Sequence, residues 1–391
     1  MWFVEGVRPI ARSSWGNKLS TPALDTELII SILRRHEIFA EDDVVFVGGS
    51  IADGLATPWS DVDVFVVRSA VQRTEETLHL VPMPHDEMTM DLEVWRSSEV
   101  ESLLRKLRKI RVDSPTDHRA FMRLTEDERD FLHCLAGGIS VYNEAGLLKL
   151  KAEVDCDLLA RLSVARAVVG ITNSQTDLLG WLASGDWQSV GTACQRLLDF
   201  AALALLGASG STHPGGKWIT ALLRKYFDGR QVPPRLLGGT ASLVDHYYSL
   251  QVKPDGPAAA GSYARRCVNF ANQAVIYAQM AHTAAADSAL RRILWLPETT
   301  ESIGDGQARP ALTCAAQLRL HSGKWYLLHV GREMYEVNEA AISSLLLVDG
   351  RSTERQILDI MEGLSDVGRP QMAQSLRHLL LFLENANLLE S

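Results

Sequence analysis

The sequence predicts an α+β chain in three parts, and three observations carry that reading. Two apolar strand patterns, each flanked by glycine or aspartate, stand in the first part, and helical patterns surround them. A long stretch rich in Ala, Leu and Arg at helical spacing follows, with almost no strand signal. Three short alternating strands and then three helices make up the last part.

The elements follow in order. Ser20–Ile38 has helical spacing through Leu24, Leu28, Ile29, Ile32 and Leu33, with Ser20-Thr21-Pro22 as a start signal. Val44–Val47 is an apolar strand that runs into Gly48-Gly49-Ser50. Ten residues later a second apolar strand opens with Asp61-Val62-Asp63. Strand side chains alternate faces, so Asp61 and Asp63 point the same way. Two carboxylates so placed repel each other unless a cation lies between them, and hard oxygen ligands suit Mg²⁺. Glycine has no side chain to keep a phosphate from backbone N–H groups, so Gly48, Gly49 and Ser50 are candidate nucleotide-binding residues beside the carboxylates. In Met90–Trp95, alternation puts Asp91 and Glu93 on one face and Leu92 and Val94 on the other. A charged amphipathic segment, Glu99–Ile110, completes a first part ending near residue 115.

The middle part, 116–297, carries helical patterns over Asp157–Ser184, Asp186–Ala208, Lys217–Phe227 and Gly261–Ala285, which predict a helical bundle. Within it Gly210–Trp218 reads as a loop entering a helix, and Lys217 is a candidate phosphate contact. Arg196 and Asp199, three apart, read as an intrahelical ion pair, and His213 and His321 as surface histidines. A polar stretch, 298–310, reads as a linker. Beyond it Leu318–Leu320, Trp325–Val330 and Met334–Val337 form a three-stranded meander. Asn338 and Ser352-Thr353 cap two helices, and a third spans Pro370–Ala386. Three strands followed by three helices make residues 311–391 a winged-helix-like module. The last helix has only Arg369, Arg377 and His378 as basic groups, too few for a phosphate footprint on DNA.

Composition narrows the function classes. A net charge of −9 argues against broad binding to nucleic acid or to an anionic membrane. The five cysteines, Cys134, Cys156, Cys194, Cys267 and Cys314, are scattered, which fits buried thiols in a reducing cytoplasm rather than a disulfide framework or zinc site. The strongly apolar run Phe200–Ala208 is too short to span a bilayer, so a soluble intracellular protein is expected.

Gly49-Ser50, the ten-residue spacer and Asp61-x-Asp63 resemble the motif of the DNA polymerase β-like nucleotidyltransferase superfamily. The aminoglycoside nucleotidyltransferase branch is similar, with a Pro-aromatic-Ser before the first Asp, as Pro58-Trp59-Ser60 stands here. That likeness implies a mixed sheet with flanking helices, a third acidic residue on a later strand, a helical domain closing the cleft, and transfer of a nucleotidyl group from ATP or another nucleoside triphosphate with Mg²⁺. Asp91 is the expected third metal ligand on this likeness, and Glu93 is the second candidate for that role or for the base. Many members carry a basic residue shortly after the Ser, whereas this chain has Asp53. Residues 310–391, with the Asn338-Glu-Ala-Ala helix start and the Asp349-Gly-Arg-Ser-Thr break, resemble the PqqD family of peptide-recognition elements. The resemblance implies capture of a precursor's leader peptide as an added strand on Met334, Tyr335, Glu336 and Val337, facing Met372, Ser375, Leu376 and Leu379. Two readings follow: a nucleotidyltransferase of ribosomal peptide biosynthesis, or an inactive scaffold of that fold which presents the precursor to other enzymes of the pathway.

Overall fold

The computed structural model describes residues 25–57, 60–69, 81–84, 89–112, 118–282, 289–296, 309–365 and 367–390. The expected helix start at Ser20–Pro22, the pair Pro58-Trp59 and the linker over 298–308 lie outside the described residues. The chain divides into two compact units, residues 1–106 with 134–154, and residues 107–133 with 155–391.

In the first unit, helix α1 (Thr26–Arg35) starts where the Asp25 carboxylate accepts the Leu28 N–H at 2.9 Å. Strand β1 (Val44–Val47) leads into a single helical turn, α2 (Gly49–Ala52), and then to β2 (Val62–Arg68). Strands β3 (Val81–Pro84) and β4 (Thr89–Arg96) follow, then α3 (Ser97–Lys109). The chain then passes through α4 (His118–Phe121), which belongs to the second unit, and α5 (Glu126–Gly137), which begins there, before β5 (Ile139–Tyr142) and α6 (Glu144–Lys151) of the first. The sheet order is β3-β4-β2-β1-β5. Only β2 and β4 run parallel, with Asp63 beside Asp91 and Phe65 beside Glu93; β1 pairs antiparallel with β2 and β5, and β3 with β4.

Strand β5 corrects the expectation of a middle part almost without strand signal. It is four residues long, Ile-Ser-Val-Tyr, and none of them is fully buried. Alternation over so short a margin strand is lost among the helical patterns on either side. Its place is set by pairing with β1, Val47 to Ile139 and Val45 to Tyr142.

Alternation along the strands separates the two faces of this sheet. Val45, Val47, Val62, Val64, Val66, Met90 and Leu92 pack with Ile29, Ile32 and Leu33 of α1 and Ile51 of α2 in one core. The residues between them face the other way: Phe46 stacks on Phe65 with ring centroids 5.0 Å apart, and Asp63, Asp91 and Glu93 share that side. The fully buried Asp43 carboxylate accepts the N–H groups of Ala40 (2.9 Å) and Ser69 (3.2 Å), tying the start of β1 to the end of β2.

The second unit is built on three long helices, α7 (Cys156–Ser184), α8 (Trp187–Ala208) and α12 (Pro257–Ala281). Between them lie α9 (Ile219–Phe227), α10 (Pro234–Leu237) and α11 (Leu243–Gln251), and α13 (Ala289–Leu294) follows α12. Asp155 and Asp186 cap α7 and α8. Gly170 lies against the Phe200 ring and Gly207 against Val164, where a β-carbon would come within 2.4 and 2.8 Å, so these glycines let α7 and α8 approach closely. Among the described residues, α8 is the one helix long and apolar enough to cross a membrane, and most of it is buried within this unit as a core helix.

The same unit contains β6 (Ala316–His321), β7 (Lys324–His329) and β8 (Glu333–Val337), an antiparallel meander in that order. Helices α14 (Glu339–Leu345), α15 (Glu354–Glu362) and α16 (Arg369–Asn385) complete the module. Asn338 caps α14, and Thr353 and Gln356 form a reciprocal capping box on α15. Its core of Leu318, Leu327, Ile342, Leu345, Ile357, Leu376 and Leu383 continues into Ile276, Leu290 and Ile293 of the helical segment.

Among the described residues the outer margin of β6 has no strand partner, and buried amides stand beside it. Asn272 donates to Ala316 O (3.2 Å) and accepts from Leu318 N–H (3.2 Å). Two turns along α12, Gln279 accepts from Leu320 N–H at 2.7 Å. Gln175 of α7 donates to Cys314 O (2.7 Å) and Ala316 O (3.0 Å). Backbone groups that would otherwise be buried without partners are thus satisfied by helix side chains. The other margin, β8, carries exposed Met334 and Glu336.

Candidate functional site

The acidic site lies on the sheet face opposite α1. One carboxylate oxygen from each of Asp61, Asp63 and Asp91 falls within 4.8 Å of the other two, and all three residues are half-buried. Parallel pairing of β2 with β4 produces this convergence, because it sets Asp63 directly beside Asp91 on one face. Burial raises the Asp91 pKa above the ordinary carboxylate value, and a hydrogen bond with Asp61 and the Asp61 charge raise it further. Three hard oxygen donors this close together fit a divalent cation.

Glu93, one alternation further along β4, is not part of this trio. Its carboxylate accepts the Trp95 indole N–H at 2.7 Å. The structure gathers Asp91 with Asp61 and Asp63, and Glu93 stays on the same face as a neighbouring carboxylate.

The glycine turn has a role beyond that read from the sequence. Gly49 adopts φ +58°, and a β-carbon there would meet Asp63 Oδ2 at 1.8 Å. A β-carbon on Gly48 would meet the Phe65 ring at 2.7 Å and Cys134 Cβ at 2.8 Å. The two glycines thus make room for the Asp63 carboxylate and for the aromatic layer beneath it. Gly48 N–H donates to Asp63 O at 2.9 Å, which fixes the turn against the start of β2. Ser50 is buried, at 8 % exposure, and its carbonyl accepts Leu55 N–H at 2.8 Å.

Sequence reasoning missed Cys134 as a member of this region. Its thiol is hydrogen-bonded to the Gly49 backbone. Burial is the main cause that pushes its pKa up to about 12, with the charges of Asp63, Asp53 and Glu93 adding to the effect, so it stays a thiol at neutral pH. The signal available in the sequence was weak: one Cys inside a helical pattern, far along the chain from the glycines. All five cysteines are free, and Cys156 is exposed, contrary to the expectation of buried thiols throughout.

The remaining candidates lie in the second unit. Lys217 is exposed and its ammonium lies 5.2 Å from the centre of the Trp218 ring, a cation–π contact in a 3₁₀ turn ahead of α9. Asp199 is not paired with Arg196; it accepts the Tyr247 hydroxyl at 2.6 Å, and burial raises its pKa. His213 is buried rather than on the surface, with its Nδ1 accepting Gly215 N–H (2.9 Å) and its ring 4.9 Å edge-on from His133. His321 is exposed as expected.

The expected peptide-binding residues fall into two groups. Met372, Ser375, Leu376 and Leu379 of α16 line one groove of about 670 Å³ between α14, α15 and α16. Met334, Tyr335, Glu336 and Val337 do not line it, although Asn338 and Glu339, which follow them directly, do. Tyr335 instead packs edge-on against Phe382 of α16 at 4.9 Å, with its hydroxyl donating to Glu333. Glu336 pairs with Lys324 at 2.9 Å on the exposed face.

No curated protein sequence matches the chain. Residues 27–114 match the family model described as "Nucleotidyltransferase domain", a span that runs from α1 through the glycine turn and both acidic strands to the end of α3. The glycine turn and the carboxylates beside it all lie inside the matched span, so residues 27–114 are similar to a nucleotidyltransferase domain.

Proposed function

We propose that the protein is a Mg²⁺-dependent nucleotidyltransferase of ribosomal peptide biosynthesis, in the cytoplasm, which captures the leader of a precursor peptide through its C-terminal module. The observation that carries the transferase reading is the convergence of Asp61, Asp63 and Asp91 within 4.8 Å beside Gly48-Gly49-Ser50. These three residues would hold the cation, which when bound offsets the charge of a triphosphate. An acceptor hydroxyl attacks the α-phosphorus of ATP or another nucleoside triphosphate, the bond to the pyrophosphate oxygen breaks, and Glu93 takes the acceptor's proton. In titration calorimetry, wild type should bind ATP or another common triphosphate with Mg²⁺, and Asp61→Asn/Asp63→Asn should not. Absence of binding for all four common triphosphates would reject the enzyme reading.

Peptide capture is supported by the module's likeness to a recognition element, by β8 as the outer strand of its sheet, and by the α14–α16 groove beyond it. Strand addition gives backbone hydrogen bonds, and an adjacent groove selects side chains. Tyr335→Pro should abolish leader binding, because Pro removes a strand donor, and Leu379→Glu should weaken it while leaving β8 intact. Unchanged affinity in both variants would place the peptide elsewhere.

The scaffold reading is favoured by two observations. Asp53 stands where a basic phosphate contact is expected, and the Gly49 backbone engages Cys134. Full peptide maturation with Asp63→Asn in a reconstituted pathway, with none for Tyr335→Pro, would select it.

A further inference from the structure

Gln317 and Arg319 stand two apart on β6 and face away from Leu318, which belongs to the core of the C-terminal module. On that side they meet Thr172 of α7. The Thr172 hydroxyl lies 3.0 Å from Val168 O and 3.1 Å from Gln317 Oε1, and it accepts from Arg319 Nη2. Arg319 Nη2 also donates to Gln317 Oε1 at 2.9 Å. The acceptors of this cluster are thereby used, and donors are left over. Gln317 Nε2 and Arg319 Nε are both buried without a hydrogen-bond partner among the described residues. Gln317 is 0 % exposed, whereas Arg319 is half-buried, so part of it opens to solvent.

Charge sharpens the surplus. The same unit holds a second buried guanidinium, Arg235, and there a carboxylate answers it: Nη1 donates to Asp349 Oδ2 at 3.1 Å. Arg319 has a hydroxyl and an amide as partners, and both are neutral. Burial lowers its pKa to about 10, and no charged side chain among the described residues contributes to the shift. Across the register on β7, Lys324 is already paired with Glu336 at 2.9 Å. A buried charge without a counter-charge is costly, and buried donors without acceptors add to the cost. What completes the cluster is an acceptor bearing one negative charge. The planar fork of arginine matches the two oxygens of a carboxylate, and a single cation balances that charge but not a phosphate dianion.

We infer that Arg319 and Gln317 bind a carboxylate group at the junction of β6 and α7, such as an acidic peptide side chain or a small carboxylic acid carries. Arg319 supplies the charge and Gln317 an additional N–H donor, with Thr172 holding both in place. The site shares no residue with the acidic trio or with β8, so it stands or falls independently of nucleotidyl transfer and of strand addition.

The test is titration calorimetry on the full chain in chloride buffer. Acetate and N-acetylglutamate N-methylamide serve as probes and separate a small free acid from a peptide side chain. Binding of at least one is expected, with inorganic phosphate weaker, and Arg319→Met should weaken it at least about tenfold through loss of the charged contact. A second variant supplies the carboxylate from within. Gln317→Glu should raise the unfolding temperature in chloride buffer, because it pairs the buried guanidinium, and should remove the response to both probes. No heat with either probe, binding unchanged in Arg319→Met, tighter binding of phosphate, or a Gln317→Glu chain less stable than wild type would overturn the inference.

Discussion

The margin of β6 and the acidic face of β2 and β4 treat polar groups in opposite ways. Along β6, Asn272, Gln279 and Gln175 give partners to Ala316 O, Leu318 N–H and Leu320 N–H on the margin away from β7. On the acidic face, Asp61, Asp63 and Asp91 are given one another, and burial with a neighbouring charge raises the Asp91 pKa. A completed polar group holds structure together, since losing its partner leaves it buried and unsatisfied. A set left incomplete costs stability and is retained where something outside the chain completes it. The difference separates a joint within the second unit from a candidate cation site.

The largest test of the completed side is Arg235→Ala. It leaves the Asp349 carboxylate in a largely buried position without its guanidinium, and unfolding free energy should fall by about 3–5 kcal/mol. A denaturant titration that finds less than about 1 kcal/mol would make this pair equivalent to a surface ion pair. Gly49→Ala attacks the incomplete side through the backbone. The left-handed conformation alone costs about 1–2 kcal/mol, and the new β-carbon would displace the Asp63 carboxylate. Chemical denaturation should register a loss of at least that size, and Mg²⁺-dependent triphosphate binding should disappear with it.

Asn272→Leu is the direct probe of the β6 margin. It removes the acceptor of Leu318 N–H and one donor to Ala316 O, leaving the latter to Gln175. A loss of about 1–3 kcal/mol is expected for the orphaned N–H, and faster hydrogen exchange at Leu318 should localise it.

The smallest effect is expected from Asp91→Asn, and its sign is opposite. A carboxyl whose folded pKa lies above its unfolded value binds more protons when folded. Its contribution is therefore most favourable below the unfolded value, near 3.8, and declines as pH rises from there through the raised folded pKa. Without divalent cation, wild type should show this decline and Asp91→Asn should lack it, with equal or higher stability at neutral pH. Saturating Mg²⁺ should reduce the decline in wild type only. A pH–stability curve unaltered by Asp91→Asn would mean the carboxylates do not interact.

Much of this protein was legible from local pattern. The strands at Val44 and Asp61, the acidic alternation of Asp91 and Glu93, the long helices and the capped C-terminal module all rest on spacing that one element's geometry imposes. The residues of the acidic trio were readable for the same reason, because alternation decides which side chains share a strand face. Three other features were not: β5, too short for alternation to register; Cys134 beneath the glycine turn; and the burial of His213. Each depends on a partner far away in the chain.

The sequence by itself determined which carboxylates face together and where glycine must stand. Only the tertiary structure decided that Gly48 and Gly49 leave space for Phe65, Cys134 and Asp63. Tertiary packing also gathered Asp91, and not Glu93, with Asp61 and Asp63, through the parallel register of β2 and β4, and closed one margin of the C-terminal sheet with amides from α7 and α12. The physical reason is common to all three. Side-chain direction is fixed by the local backbone, whereas register, close approach and the partner of a buried polar group are fixed by elements that meet only on folding.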